Sequence, residues 1–315
     1  MAILVTGGAG FKGSLLCHSL LQLGAKVVCV DCLKWGAGPV MGLISHPNFE
    51  FIKGDVRDNA LMDSVLKRVE VVINLAAIVG YPACDAAPEE AKQVNSEFVK
   101  NLTKKLSKSQ LLIHASTGSV YGRLEEICTE ESPTNPLSLY GVTKLHAETV
   151  VRDVGGVNLR FVTAFGVSPC MRFDVLPSHL MWKALTERYI VIYESQAKRA
   201  FVDVTDMVRA YIFAFKNYAE MSGKVYNVGD ELLNVSKGHI TETVASVIYQ
   251  RERWKVKIFD ETSIKDKDAR DYEVSFKKIN SLGFECKVSL VKGLHQTYVA
   301  AKAVMEDHSN PWRIT

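Results

Sequence analysis

Through the first half of the chain, short apolar runs alternate with longer amphipathic ones. The runs Ile3–Val5, Lys26–Val30, Phe49–Ile52, Val71–Leu75, Leu111–His114 and Asn158–Val162 have the length of strands. Between them, Gly13–Leu23, Ala60–Lys67, Glu89–Lys105 and Leu139–Arg152 carry apolar residues at helical spacing. The strand runs are apolar throughout, as in a parallel sheet covered on both faces. Such alternation predicts an α/β fold, a doubly wound parallel sheet with right-handed crossovers. The regularity declines after Phe165. A proline-containing stretch, Val167–Pro177, precedes a helical run at Leu180–Glu187. Phe201–Val204 and Tyr226–Val228 read as short strands around a helix at Asp206–Asn217, and Lys237–Tyr249 and Val291–Val304 read as helices. The expected organisation is a first domain over residues 1–165 with a return segment at about 200–228, and a smaller interleaved α/β domain drawn mostly from residues 166–315.

Composition narrows the classes. Apolar residues make up 47% and charged residues 23%, which excludes a disordered chain. A net charge of +3 supplies no concentrated basic face for nucleic acid. No run reaches the roughly 18 apolar residues of a membrane helix; Val71–Ala83 is broken by Asn74, Gly80 and Pro82. The start, MAILVTGGAG, has no signal-peptide pattern, and seven cysteines fit reduced thiols, so a cytoplasmic location is expected. Cys29-Val30-Asp31-Cys32 has no second Cys/His pair to complete a metal site, and both cysteines are expected to be packing residues.

Gly7-Gly8-Ala9-Gly10-Phe11-Lys12-Gly13 follows the first strand and opens a helix. Gly7 suits a tight turn, Gly10 a close approach of backbone to a pyrophosphate, and Gly13 tight helix–strand packing. The helix N-terminus would direct free N–H groups and a positive dipole end at the phosphates. Asp31 ends the second strand 18 residues after Gly13. A carboxylate there accepts hydrogen bonds from the adenosine ribose and repels a 2′-phosphate, which favours NAD over NADP. Asp55 and Val56, after the third strand, are placed to flank the adenine. The prediction is a Rossmann-type dinucleotide site, with Lys12 as an added cation near the phosphates.

Tyr140-Gly-Val-Thr-Lys144 begins an amphipathic helix. At i and i+4 the phenol and the ammonium share one helical face. The ammonium stabilises a phenolate and lowers the tyrosine pKa from near 10, making Tyr140 a general acid/base for alcohol–ketone interconversion. The strand at Leu111–His114 runs into Ala-Ser-Thr-Gly-Ser-Val-Tyr-Gly, so Ser116 and Thr117 lie at its C-terminal end, where open α/β sheets bind ligands.

The strings TGGAGFKG, ASTGSVYG, YGVTK and the later KRAFVDVTD, in that order, resemble the extended short-chain dehydrogenase/reductase family, and within it the nucleotide-sugar epimerases and dehydratases. The resemblance covers essentially the whole chain. It implies NAD held by Gly7, Gly10, Phe11, Lys12, Gly13, Asp31, Asp55, Val56, Ala76, Tyr140 and Lys144. It implies a nucleoside-diphosphate sugar, GDP- or UDP-linked, in the second domain. Thr117 would hydrogen-bond the reacting sugar oxygen, Tyr140 would take its proton, and Lys144 would hold the nicotinamide ribose and tune the phenol. Substrate contacts carry over to Thr163, where the family has Asn, and to Arg172, Arg199 and Arg270, whose guanidinium forks suit phosphate oxygens. Tyr81 and Cys84 fall on a loop that either faces substrate or packs. The helices at Glu89–Lys105 and Leu139–Arg152 either pair into a homodimer or simply cover the sheet. AAIVGYPAC, EESPTNPLSLYG and FGVSPCMRFD are similar to a subgroup containing GDP-heptose 4-dehydrogenases.

One departure shapes the expected activity. The family's 4,6-dehydratases carry Asp-Glu directly after the Thr; here those positions are Gly118 and Ser119, which lack the acid/base pair for elimination. The expected activity is an NAD-dependent epimerase acting through a transient keto sugar, at C4. A 4-dehydrogenase or 4-keto-sugar reductase would use the same triad. A non-catalytic NAD-sensing or RNA-associated relative is disfavoured, because Thr117, Tyr140 and Lys144 are all kept.

Overall fold

The computed structural model describes residues 1–124, 126–263 and 272–306. In chain order the strands are β1 (Ala2–Thr6), β2 (Lys26–Asp31), β3 (Phe49–Lys53), β4 (Val71–Asn74), β5 (Leu111–Thr117), β6 (Val157–Phe161), β7 (Thr163–Phe165), β8 (Tyr189–Ile192), β9 (Lys198–Asp203), β10 (Val225–Val228), β11 (Asn234–Ser236) and β12 (Lys257–Asp260). Seven of them form one sheet in the order β10-β6-β5-β4-β1-β2-β3, with every pairing parallel. A sheet of three, β11-β9-β7, and a pair, β12-β8, lie in the second half of the fold.

The large sheet is apolar on both faces because both are covered. Leu4, Val72 and Leu112 point to one side and pack with Val99, Ala147 and Val151 of two helices. Ile3, Ile73 and Ile113 point to the other and pack with Leu16, Val208 and Tyr211. Each such side chain contributes roughly 1.5–3 kcal/mol when fully buried. A third apolar cluster, around Phe165, Leu180, Met181, Ile240 and Leu294, fills the second half.

The structure departs from the sequence pattern at four places. First, the predicted helix Glu89–Lys105 is divided into Pro88–Lys92, a π-helical turn at Gln93–Glu97 and Phe98–Lys105. The wider turn, a form frequent at functional sites, contains Asn95, whose side chain is wholly buried. Second, β5 runs three residues beyond His114, carrying Ser116 and Thr117 within the strand. Third, β7, β8, β11 and β12 have only three or four residues each, too few to show a period. Fourth, Cys29 is buried but Cys32 is exposed, so Cys32 is not a packing residue. Strand β2 ends at Asp31, whose carboxylate accepts from the Leu33 amide at 2.7 Å and turns the chain away from the sheet. Among the described residues no helix is long and apolar enough to cross a membrane.

Candidate active site

The glycine loop has the shape its sequence demands. Gly7 has φ +70°, and a Cβ there would lie 2.8 Å from the Ala76 nitrogen; a Cβ on Gly13 would lie 2.2 Å from the Gly7 oxygen. Larger residues would push the loop off the sheet. A Cβ on Gly10 would meet only the Gly7 oxygen, at 3.3 Å, so the loop is open at that point to an approaching pyrophosphate. Asp31 accepts the Ala9 amide at 2.9 Å, bracing the loop from β2 and leaving acceptor positions for a ribose. The Phe11 carbonyl accepts from the Ser168 hydroxyl at 2.5 Å, which ties the loop to the segment after β7. Asp55 is committed to Arg57, at 2.6 Å from Nη2, while Arg57 reaches Gln93 at 2.8 Å. Val56 is buried and lines a hollow of about 220 Å³ with Asn59, Gln93, Glu97 and Phe98. These features fit a bound dinucleotide.

Thr117 is the last residue of β5. Its hydroxyl donates to Ser119 Oγ at 3.1 Å and accepts from the Ser119 amide at 3.2 Å. Tyr140 and Lys144 lie on the helix Leu139–Asp153, capped by the Ser138 hydroxyl, which accepts from the Gly141 amide at 3.3 Å. Tyr140 is half-buried and within electrostatic reach of Arg172 and Tyr211. Lys144 is 2% exposed, and its Nζ lies 3.1 Å from His114 Nε2. Burial, reinforced by the Lys12 charge, brings the Lys144 amine down to about 7. Burial, with Lys144 and Lys12 adding to it, holds His114 well below the usual histidine range.

Lys12 is part of this site. Its ammonium sits 4.8 Å from the centre of the Phe161 ring, and Phe161 is the register partner of Thr117. Burial and the neighbouring Arg172 lower its pKa to about 8. Arg172 itself is paired with Asp174, its Nε donating at 2.9 Å. Thr163 opens β7 opposite Phe201, and Arg199 lies two residues earlier on the same partner strand, β9; both are half-buried. Arg270 lies outside the described residues. Cys84 is buried with its thiol 3.3 Å from the Ile78 carbonyl, which makes it packing beneath the loop after β4, whereas Tyr81 begins the short helix Tyr81–Ala86.

Several residues that build the site were not singled out by the sequence pattern. Asn95 Oδ1 accepts from the Ile78 amide at 2.8 Å, and its Nδ2 donates to the Ile78 carbonyl at 2.9 Å and to Thr143 at 3.3 Å, joining the loop after β4 to the Tyr140 helix. Thr6, Asn74 and His114 form a buried polar row beneath Lys144. Glu148, one turn beyond Lys144, receives Arg160 Nε at 2.9 Å and Nη2 at 2.7 Å, and the Ser116 hydroxyl. For Thr6, Asn74 and His114 the signal was a polar residue standing near the C-terminal end of an otherwise apolar strand.

Residues 3–229 match the model of the NAD dependent epimerase/dehydratase family. An uncharacterized UDP-glucose epimerase, YtcB, of Bacillus subtilis (strain 168) is 32% identical over 251 residues, covering 73% of this chain and 77% of the relative. Among solved structures, UDP-glucuronic acid 4-epimerase from Bacillus cereus, in complex with UDP-glucuronic acid and NAD, superposes with a TM-score of 0.83 at 27% identity, covering 96% of this chain and 99% of the other. dTDP-glucose 4,6-dehydratase from Bacillus anthracis, in complex with NAD, gives 0.82 at 26% identity, with 98% of each chain covered. With its Rossmann sheet, its glycine loop and the Tyr140–Lys144 helix in place, the chain belongs to the NAD dependent epimerase/dehydratase family, of the extended short-chain dehydrogenase/reductase type.

Proposed function

We propose that this protein is a nucleotide-sugar 4-epimerase acting on a UDP-linked hexose or hexuronic acid. The supporting names are those of its relatives, a UDP-glucose epimerase and a UDP-glucuronic acid 4-epimerase. NAD, when bound along the glycine loop and Asp31, supplies the hydride acceptor and donor. Tyr140 takes the proton from the sugar hydroxyl as the carbonyl forms and returns it after the sugar turns over. Thr117 donates to the same oxygen, and Lys144 lowers the acidity barrier of the phenol. The sugar redox change cancels over one cycle, so the cofactor stays bound. Thr163, Arg172 and Arg199 are assigned to the substrate side, and Arg270 is kept with them on sequence alone.

The observation that carries epimerisation over dehydration is the chain after Thr117. Gly118 and Ser119 offer no carboxyl pair, and a Cβ on Gly118 would lie 3.2 Å from the Tyr272 hydroxyl. The space a dehydratase aspartate would need is bounded by a tyrosine. A homodimer through Pro88–Lys105 and Leu139–Asp153 would meet along a polar surface, because Lys92, Lys100, Lys104, His146 and Arg152 face outward.

The test is to incubate purified protein with UDP-glucose and with UDP-glucuronic acid and follow the C4 proton by NMR. Interconversion of the C4 epimers without net NADH is expected, and Tyr140→Phe should stop it while NAD still binds. Accumulation of a keto sugar with equimolar NADH would identify the 4-dehydrogenase instead, and a 4-keto-6-deoxy product would overturn the reading of Gly118.

A further inference from the structure

Thr6, Asn74 and His114 stand side by side on β1, β4 and β5, in register across three neighbouring strands. All three side chains are completely buried. The direction of their hydrogen bonds is fixed at the Thr6 end. Thr6 Oγ1 accepts from the Ala76 amide at 3.3 Å and shares the Leu75 amide, at 3.2 Å, with the Thr6 carbonyl at 3.1 Å, so its lone pairs face N–H donors. Its single proton therefore goes to Asn74 Oδ1, 2.6 Å away. The Asn74 amide is thereby oriented with Nδ2 toward His114 Nδ1, at 3.0 Å. A neutral imidazole that accepts at Nδ1 carries its proton on Nε2. That nitrogen lies 3.1 Å from Lys144 Nζ. An N–H aimed at a lysine is satisfied only by a lone pair, which the amine has and the ammonium lacks.

We propose that His114 is a positioning residue for Lys144, offering it a hydrogen-bond donor and so favouring the neutral amine over the ammonium in the empty cleft, a balance that an anion entering the cleft tips back by stabilising the proton taken up from solvent. The proposal rests on the reading of Tyr140 and Lys144 as the reacting pair. The other groups around Lys144 agree with it. Lys12, from the glycine loop, opposes a second cation. Cys84, from the short helix after β4, is pushed up to about 11 by burial and is uncharged at neutral pH. Glu148, on Lys144's own helix, favours the ammonium but is already engaged by Arg160 and Ser116. Tyr140 becomes an anion only when it gives up its proton. The row thus works against a resident charge on Lys144 and leaves the incoming ligand to create it. The phenol gains a fully cationic neighbour in the loaded cleft.

The experiment is nitrogen-15 NMR of histidine-labelled protein, with His114 assigned by the signal lost in His114→Gln. The Nε2–H tautomer is expected from pH 6 to 9, with a step in its shifts near the Lys144 pKa of about 7 that vanishes in Lys144→Met. Asn74→Asp places an acceptor against Nδ1. It should move the ring proton there, make Nε2 an acceptor, and raise the step by about one pH unit or more. If melting curves show that this variant does not fold, Thr6→Val serves in its place: it removes the proton that orients Asn74 and should give mixed tautomers. A ring that is cationic or protonated on Nδ1 in the unmutated protein, or a step that neither substitution moves, overturns the proposal. These readouts need no sugar turnover, so they are separate from the epimerase assay. In that assay, if turnover exists, Asn74→Asp should shift the pH profile by the same amount.

Discussion

Lys144 and Glu148 sit four residues apart on one face of one helix, 2% and 4% exposed, and the fold treats them in opposite ways. Glu148 is fully compensated. Arg160 grips both of its oxygens, Ser116 donates to one of them, and the Arg160 guanidinium lies 4.8 Å from the centre of the Tyr121 ring. Among the described residues no carboxylate pairs with Lys144; its polar neighbour is an imidazole that presents a donor. A buried charge held by its partner serves the fold. A buried amine without one has a movable proton, and such groups cluster where chemistry occurs. One turn of helix separates the structural use of burial from the functional one.

The largest difference should come from removing each group in turn. Lys144→Met is expected to lower turnover about 100- to 10,000-fold, the range for a positioned acid/base system, which is roughly 3–5 kcal/mol of barrier. Its melting temperature should be unchanged or higher, since no buried amine remains to be desolvated. Steady-state rates with UDP-glucose, read alongside thermal melts, check both halves, and activity within tenfold of the parent would remove Lys144 from the mechanism. Glu148→Ala is expected to do the reverse. It leaves the Arg160 guanidinium buried and unpaired, at about 3–5 kcal/mol of stability in urea unfolding. Glu148→Leu combined with Arg160→Met should recover most of that loss, because two apolar side chains fill the site without stranding a charge. If the double variant is no better than the single one, the pair does more than compensate itself.

The same contrast explains what was legible from the sequence. Strands β1 to β6 were readable because each is a short, mostly apolar segment between turns, the pattern a sheet covered on both faces demands. Thr117, Tyr140 and Lys144 were proposed from strand-end position and i, i+4 spacing together with the family resemblance; the structure puts Thr117 at the end of β5 and the other two in the first turns of one helix. The partners of Lys144 and Glu148 were not. Asn74, His114 and Arg160 come from three different strands, and only the sheet order β6-β5-β4 places them under one helix. Asn95 was hidden for a different reason: a π-helical turn alters the helical phase, so a strict 3.6-residue reading points its side chain the wrong way. The short strands β8 and β12 pair between residues 68 apart in sequence, Tyr189 with Lys257 through Ile192 with Asp260, with no local signal for it.

A smaller effect separates the two groups by pH. The Lys144 amine is lowered to about 7 in the fold from 10.5. Between those values the unfolded chain binds the extra proton, so the stability of the cofactor-free protein should rise with pH across that window. Its slope should be at most about 1.4 kcal/mol per pH unit for this one proton. Below pH 7 both states are protonated and the contribution is flat. Lys144→Met should lose that share of the slope. Urea midpoints at pH 7, 8 and 9 give the comparison, and a slope that persists in full would assign the effect to Lys12, whose amine is lowered to about 8.

Lys12→Ile sharpens the comparison with the least disturbance. The substitution removes a cation that repels Lys144 and forfeits the contact over Phe161, which lies 4.8 Å away. The forfeited contact is of order 0.5–1 kcal/mol. The relief of a half-buried ammonium at the N-terminal end of a helix works the other way, since the helix dipole disfavours positive charge there. The two nearly cancel, so stability should change by less than about 1 kcal/mol. The electrostatic consequence does not cancel. Without Lys12 the Lys144 step should rise by less than about one pH unit, because burial is the larger cause of its depression and remains. A rise larger than that of Asn74→Asp would mean that the second cation, and not the donor presented by His114, is what keeps Lys144 neutral.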